Sequence, residues 1–431
     1  MKNLLRFCLT CPLTLALLNG CGGGGLDTEG SVRLVNATSE YTTLDLYAAS
    51  DRVSAGVASN SAGGYANLEA DTYTFNLKDG GSSATAASTS REVTKKDHFA
   101  LVAYTSGGTL KTEYLSEDED GPSSGTAKLR VFNTASADAG SVDVYVVSTA
   151  CSALSTSSAA ATASAVSGLQ SSYTEVSAAS GGTSYHVCIT ASGNKNDLRL
   201  DIPALSLSNQ QVATLILTRT PGGVLVNGLL LTQQGTLTQA LNSTARVRLA
   251  ASTSPAGVVS ATLGGVLIGA NTSPAVTASY VLVPAGSTAL VVNGATVTLG
   301  GTTASATAGG DFTLLVTGTT ASPVARLIVD DNTVSPSTVL TTKIRVVNGL
   351  NGSTGSVTLS VDDQAVGTAA FGEASSSTQV LPSAALARLE AIQGTAQVYL
   401  RENVTLTAGK VYSLFMLGDA TSPTGLLRVD H

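Results

Sequence analysis

Val32-Arg33-Leu34-Val35-Asn36, Leu129-Arg130-Val131-Phe132-Asn133 and Ile344-Arg345-Val346-Val347-Asn348 are three versions of one five-residue phrase. Val247-Arg248-Leu249-Ala250-Ala251 is a weaker fourth. The four arginines stand 97, 118 and 97 residues apart. Solenoid repeats run at roughly 20–50 residues, so a period of about 100 means tandem domains. The longer middle interval is filled largely by Ser148 to Val166, an insert rich in Ser, Ala and Thr.

Outward from the phrase, each unit continues alike. A second motif alternates apolar and polar residues, as in Leu44-Asp45-Leu46-Tyr47 and Val142-Asp143-Val144-Tyr145, the period of a half-buried strand. A closing motif follows late in each unit: Phe99-Ala100-Leu101-Val102, Val212-Ala213-Thr214-Leu215, Phe312-Thr313-Leu314-Leu315 and Tyr412-Ser413-Leu414-Phe415. Each closing motif leads through a Gly- or Pro-containing turn into a last apolar strand. No segment sustains a 3.6-residue apolar period. Short strands rich in Val and Thr, with Gly-rich turns, read as an all-β chain of tandem immunoglobulin-like antiparallel β-sandwich domains.

The expected division is a signal peptide over 1–20, a Gly-rich tether over 21–30 and four repeats over 31–116, 127–232, 244–332 and 342–431. The linkers between repeats are 117–126, 233–243 and 333–341. Lys2 and Arg6 precede an apolar stretch from Phe7 to Leu18, too short to span a bilayer, which takes about 20 residues. Leu18-Asn19-Gly20-Cys21 is similar to a bacterial lipoprotein cleavage box, so Cys21 is the expected lipid-attachment residue. The competing reading is an ordinary signal peptide cut elsewhere. Gly22 after the cysteine favours an outer-membrane destination, on either the surface or the periplasmic face. Removal of the signal and lipidation of Cys21 leave Cys151 and Cys188, which are expected to form a disulfide in an oxidising compartment; the alternative is two free buried thiols.

The Arg-x-x-Asn opening, the Val-Asp-Val-Tyr strand and Ala408-Gly409-Lys410-Val411-Tyr412-Ser413-Leu414 together resemble the bacterial domain of unknown function 4397. The resemblance covers about four copies and is weakest in the third, which lacks the Asn and the Asp-x-Tyr. It implies secreted or surface-anchored β-sandwich repeats and carries no established chemistry.

Chemistry is sparse in the sequence. Charged residues make up 12% and the net charge is −7, which excludes the basic patch a nucleic-acid partner needs. No phosphate loop and no Gly-x-Ser-x-Gly elbow is present. His98, His186 and His431 lack the neighbours of a zinc site, and His186 reads as an ordinary strand residue. No catalytic residue, metal ligand or cofactor is assigned. The repeated arginines read as structural, through cross-strand pairs Arg33–Asp45 and Arg130–Asp143, and the Asn closing the phrase reads as turn material. Glu117-Asp118-Glu119-Asp120 and Asp330-Asp331-Asn332 offer oxygen ligands to calcium, but a like-charge run before Gly121-Pro122 reads first as a solvated linker. Asp330-Asp331 and Asp362-Asp363 are the adjacent acids a glycoside hydrolase reading would use, though neighbours on a strand face opposite ways.

The expected function is therefore a non-catalytic, lipid-anchored envelope protein for adhesion, binding or structure, with an unidentified protein or glycan partner. An extracellular polymer hydrolase and a carrier of a small apolar ligand are the alternatives.

Overall fold

The computed structural model describes residues 28–334, 341–353 and 355–431. The signal peptide and Cys21 lie outside the described residues. Eight sheets form four sandwiches, two sheets to each. In the first sandwich one sheet carries Glu29–Asn36 and His98–Ser106 side by side at its centre, flanked by Thr109–Ser116 and by the short strands Ser61–Ala62 and Ala66–Glu69. The other sheet orders Asp51–Ala58, Thr43–Ala48, Asp71–Asp79 and Thr85–Val93, all antiparallel. The plan recurs around the opening strands Thr126–Asn133, Thr244–Ala251 and Thr342–Asn348.

A pairing common to all four sandwiches departs from the antiparallel expectation, and in the third the short strand Leu299–Gly300 also runs parallel to Pro323–Asp330. The opening strand runs parallel to the closing-motif strand, with Arg33 opposite Ala100, Arg130 opposite Thr214, Arg248 opposite Thr313 and Arg345 opposite Ser413. The two strands cannot be a hairpin, because about 60 to 80 residues separate them in sequence, filled largely by the second sheet.

Alternation decides what each strand buries. Val32 and Leu34 point into their own sandwich and meet Leu44, Leu46, Phe75, Leu77, Phe99 and Leu101. Arg33 and Val35 point out of it. Outward is not toward water. Val35, Ala100, Val102 and Leu115 of the first sandwich pack on Phe132, Ile216, Leu229 and Leu231 of the second. Ala250, Leu315 and Ile328 of the third pack in the same way on Val347, Phe415 and Leu417 of the fourth. The chain is thus two back-to-back pairs of sandwiches.

The Asn of the phrase is fully buried in the three units that have it. Asn36 Nδ2 donates to the carbonyls of Tyr41 and Val57 (3.1 and 3.0 Å), and Asn133 Nδ2 to those of Gly140 and Val166 (both 3.0 Å). Asn348 repeats this with Gly355 and Ala369. It bonds nearby backbone, as expected of a turn residue, and also clamps the crossover loop to the second sheet. The third unit has Ala251 there, and Thr253 N instead donates to Ser273 Oγ at 2.6 Å.

The insert of the second sandwich folds as a 3-10 turn over Cys151–Thr156 and a strand over Ala163–Val166. A disulfide joins Cys151 to Cys188, and Lys195 Nζ holds the carbonyls of Ser157 and Ala159, each at 2.8 Å. Residues 237–240, inside the segment read as a linker, add an edge strand next to Val226–Thr232.

Candidate functional site

The repeated arginines are where the sequence reading most needs correction. Arg33 and Asp45 lie in different sheets, as do Arg130 and Asp143, so neither expected pair forms. Asp45 accepts from Gly56 N at 2.6 Å. Asp143 accepts from Ala165 N and Gly193 N, each at 2.8 Å, and from Ser192 Oγ at 3.1 Å. Burial pushes its carboxyl up, but these donors outweigh it and hold the group below the usual range.

The arginines instead staple sandwiches together. Arg345 of the fourth unit binds Asp330 at the end of the third, and Arg248 of the third binds Asp430 at the end of the fourth. A hydroxyl mediates on both sides. Arg248 Nε donates to Thr313 Oγ1 at 2.9 Å and Arg345 Nε to Ser413 Oγ at 2.8 Å, and those hydroxyls donate to Asp330 (2.7 Å) and Asp430 respectively. Arg248 Nη2 lies 3.4 Å from Asp330 Oδ2 without hydrogen-bond geometry. The first pair of sandwiches has half of this. Arg33 pairs with Glu117, which also accepts from Tyr65, and reaches the carbonyls of Thr232 and Gly235 across the interface. Gln233 stands at the position of the matching acid.

The acidic clusters are solvated only in part: Asp118, Asp120 and Asp331 are exposed, but one acid of each is not. Glu117 and Asp330 are buried. Asp118 accepts from His98 N at 2.6 Å, Glu119 pairs with Lys128 and Asp331 with Lys343, so protein groups already engage several of the oxygens offered to calcium. Asp362 and Asp363 sit in the two-residue turn between Val357–Val361 and Gln364–Ala369, not on a strand. Their φ values of +49° and +65° mark it as the hairpin type that needs two left-handed residues. Arg388 engages both: its backbone N donates to Asp362 and its guanidinium pairs with Asp363.

The candidate binding site is a cleft of about 710 Å³ where the second, third and fourth sandwiches meet, within the usual size of a ligand pocket. Arg199, Arg246, Tyr280 and His431 line it, with Asn194 and Asn196 at one side. The strand Asn194–Leu207 carries Arg199, whose Nη2 donates to Asp197 at 2.9 Å and Nη1 to the Val224 carbonyl at 3.1 Å. Arg246 donates through Nε to Asp311 at 3.0 Å and lies 4.4 Å from the centre of the Tyr280 ring. Its Nη atoms have no protein acceptor among the described residues. Burial, with Arg199, Arg246 and Lys410 nearby, lowers His431 to about 4, so its imidazole is neutral at pH 7.

Two glycines set the junction beside the cleft. Gly222 N donates to the Gly309 carbonyl at 2.9 Å, and a Cβ there would lie 2.7 Å from Asp311 N. Gly223 has φ +85°, and its Cβ would lie 2.9 Å from Thr333 N.

Asp311, fully buried at this junction, carries a pH prediction. Burial raises it to about 6, against the opposing pull of Arg246 and of Asn332 Nδ2 at 2.7 Å. The unfolded value is about 3.9. The folded state therefore holds more protons between the two values, and this group's contribution to stability falls as pH rises through that window, by about 3 kcal/mol in all. His431 works the other way, since its folded value is the lower one. Asp311→Asn should gain on the wild type by about 3 kcal/mol between pH 4 and pH 7 in denaturant titrations. A constant difference across that range sinks the assignment.

The third grouping lies in the second sandwich. Cys188 sits opposite Asp201 in the register of neighbouring strands, and His186 precedes Cys188 by two residues on the same face. Cys151 Sγ is 3.0 Å from Asp201 Oδ1, and His186 Nδ1 is 3.7 Å from the same oxygen. His186, read as an ordinary strand residue, is thus drawn into a cluster of functional side chains. The link to Cys188 was legible, but Asp201 comes from the next strand and no spacing announces it.

Comparison with known proteins fits this repeat pattern. Residues 30–145 match the family model described as Domain of unknown function (DUF4397). The DUF4397 match covers the first sandwich and runs into the second as far as Tyr145, so it includes Arg33, Glu117 and Arg130. No curated protein matches the chain. Several solved structures are similar. One is a family CBM26 module (CBMbc) from Eubacterium rectale in complex with maltoheptaose, 10% identical, covering 49% of this chain and 95% of that one at a TM-score of 0.15. Another is the Bacillus anthracis TIE protein, 8% identical, covering 93% of this chain and 69% of that one at a TM-score of 0.14. Scores this low leave the reading to the chain's own geometry.

Proposed function

We propose that this protein is a lipid-anchored envelope protein that binds its partner without turning it over, and that the three-sandwich cleft is the binding site. One observation carries the reading. The Arg246 guanidinium, stacked on Tyr280 and tied only through Nε, presents its remaining donors to a cleft it shares with Arg199. Guanidinium forks bind carboxylates in pairs of hydrogen bonds, while the Tyr280 ring, covered by Arg246 and Arg248, holds the fork in place. These donors call for a partner that bears carboxylates, and an acidic glycan is the partner of this reading. The acids that line the cleft are already engaged, Asp197 by Arg199 and Asp430 by Arg248 and Ser413, so no carboxylate pair is left free for glycoside hydrolysis. Cys21 supplies the anchor, and the glycines after it supply reach.

Two measurements on the full chain in cells test this. Radiolabelled palmitate should enter the wild type and not Cys21→Ala. Immobilised acidic oligosaccharides should retain the detergent-extracted protein and neutral ones should not, with Arg246→Ala reducing retention at least tenfold. Equal retention of both, no retention, or cleavage of the oligosaccharide overturns the reading.

A further inference from the structure

We propose that reduction of the Cys151–Cys188 disulfide opens a zinc site built from Cys151, Cys188, His186 and Asp201. The chemistry of the donor set is right: two thiolates, an imidazole and a carboxylate are the ligand types zinc takes in tetrahedral sites. Three of the four ligands are already gathered, and Cys188 stands outside that group until its sulfur is free to turn toward it. Ligand atoms of Cys151, His186 and Asp201 lie within 4.8 Å of one another. Zinc bonds of about 2.0–2.3 Å place tetrahedral ligands about 3.3–3.8 Å apart; the 3.7 Å separation falls in that range and the 3.0 Å one just below it. Cys188 Sγ is bonded to Cys151 Sγ and becomes the fourth ligand once that bond is cut.

Two further facts point to a ligand here. His186 Nδ1 is buried and has no hydrogen-bond partner, so no competing contact must be broken for it to bind a metal. Asp201 Oδ1 rests against a disulfide sulfur, which carries no proton to give it. The two atoms lie 3.7 Å apart, and Asp201 is exposed enough for a metal ion to reach it from solvent. The rest of the cluster is fixed. Cys188 and Asp201 are held by strand pairing, and Cys151 lies in the insert, which Lys195 clamps through two carbonyls.

The step balances with an external thiol or phosphine as reductant. It supplies two electrons, the S–S bond breaks, two protons from solvent make two thiols, and the reductant is oxidised. Zinc then displaces both thiol protons to solvent. Metal affinity therefore rises with pH, and bound zinc protects the pair from reoxidation. The insert of the second sandwich becomes a metal-binding arm whose availability follows the redox state of its surroundings.

Cobalt(II) is the probe, because a thiolate–cobalt centre has a near-ultraviolet charge-transfer band and intense tetrahedral visible bands. The full chain, reduced with a phosphine under argon, should show both bands at one equivalent of cobalt, and one equivalent of zinc should abolish them. The oxidised chain should show neither. His186→Ala and Asp201→Ala should each weaken zinc at least tenfold in competition with a chromophoric chelator, while keeping the strand signal in circular dichroism. Absence of the thiolate band, unchanged affinity in both variants, or equal binding by the oxidised chain overturns the proposal. Loss of the strand signal on reduction also overturns it, since the site requires the register of the fold.

Discussion

Asp330→Ala is expected to destabilise the protein by about 3–5 kcal/mol, because it leaves two buried guanidinium groups facing each other with one counter-charge removed. Asp330, Arg248 and Arg345 are each 3% exposed or less. Tyr280 Oη also donates to Asp330, at 2.7 Å. Denaturant titration of the variant measures the loss. A cost below about 1 kcal/mol, the value of an exposed pair, would show that the interface is hydrated and the pairing incidental. The acid limb gives an independent check. Burial alone would raise Asp330, but Arg345 and Arg248 outweigh it and keep the carboxyl below its usual range. Its contribution is thus complete above the unfolded value of about 3.9 and is lost as pH falls through the lower, folded value. The variant should lack that part of acid unfolding.

A large cost for removing one partner does not mean that the cluster is a net source of stability. Replacing a whole buried ionic cluster with apolar residues of similar volume is often neutral or stabilising by about 1–4 kcal/mol. What the cluster does here is fix register. An arginine of one unit's opening strand and the acid at the end of the other unit's last strand meet only if the two sandwiches pack back to back with their sheets aligned. In the third and fourth units the exchange is reciprocal, each arginine taking the other unit's acid.

Much of this was legible and some was not, for reasons that lie in the residues. The repeat frame followed from Arg33, Arg130, Arg248 and Arg345, and the strands from alternation in Leu44-Asp45-Leu46-Tyr47. The back-to-back faces were missed, although a signal was present. Phe99 to Val102, Val212 to Leu217 and Tyr412 to Leu417 run apolar with little alternation, the mark of strands buried on both faces. Glu117, Asp330 and Asp430 occupy one position in three repeats, each paired across from the start of the closing strand. Read in isolation, as Glu117-Asp118-Glu119-Asp120, the first of them looks like a solvated linker. Read as the same position in successive repeats, it asks for a partner, and the repeated arginine is the candidate. The cleft had no such signal, because Arg199, Arg246 and His431 come from three units and meet only through the junction at Gly222 and Gly223.

The apolar half of the same interfaces should be worth as much as the ionic half, and Phe132→Ala measures it. Phe132 closes the opening strand of the second sandwich with its ring outside that sandwich's own core, fully buried against the first. It meets Tyr104 edge to face with ring centres 5.6 Å apart. Truncation should cost about 3–5 kcal/mol, as for buried phenylalanines in domain cores, since the layer is packed on both sides and cannot collapse onto the void. The second sandwich's own core does not include Phe132, so the variant should leave each sandwich folded and loosen the pair. The expected trace is a denaturant transition that separates into two steps. Tyrosine fluorescence can follow it, as the chain has no Trp. Phe415→Ala should do the same to the third and fourth units, where Phe415 is equally buried between sandwiches and lies under the Arg248 guanidinium at 4.9 Å. If either variant lowers stability in a single undivided step, the paired sandwiches unfold as one unit and the interface is as much a core as the cores themselves. If neither costs more than about 1 kcal/mol, the sandwiches touch without packing, and the alignment rests on the buried arginines alone.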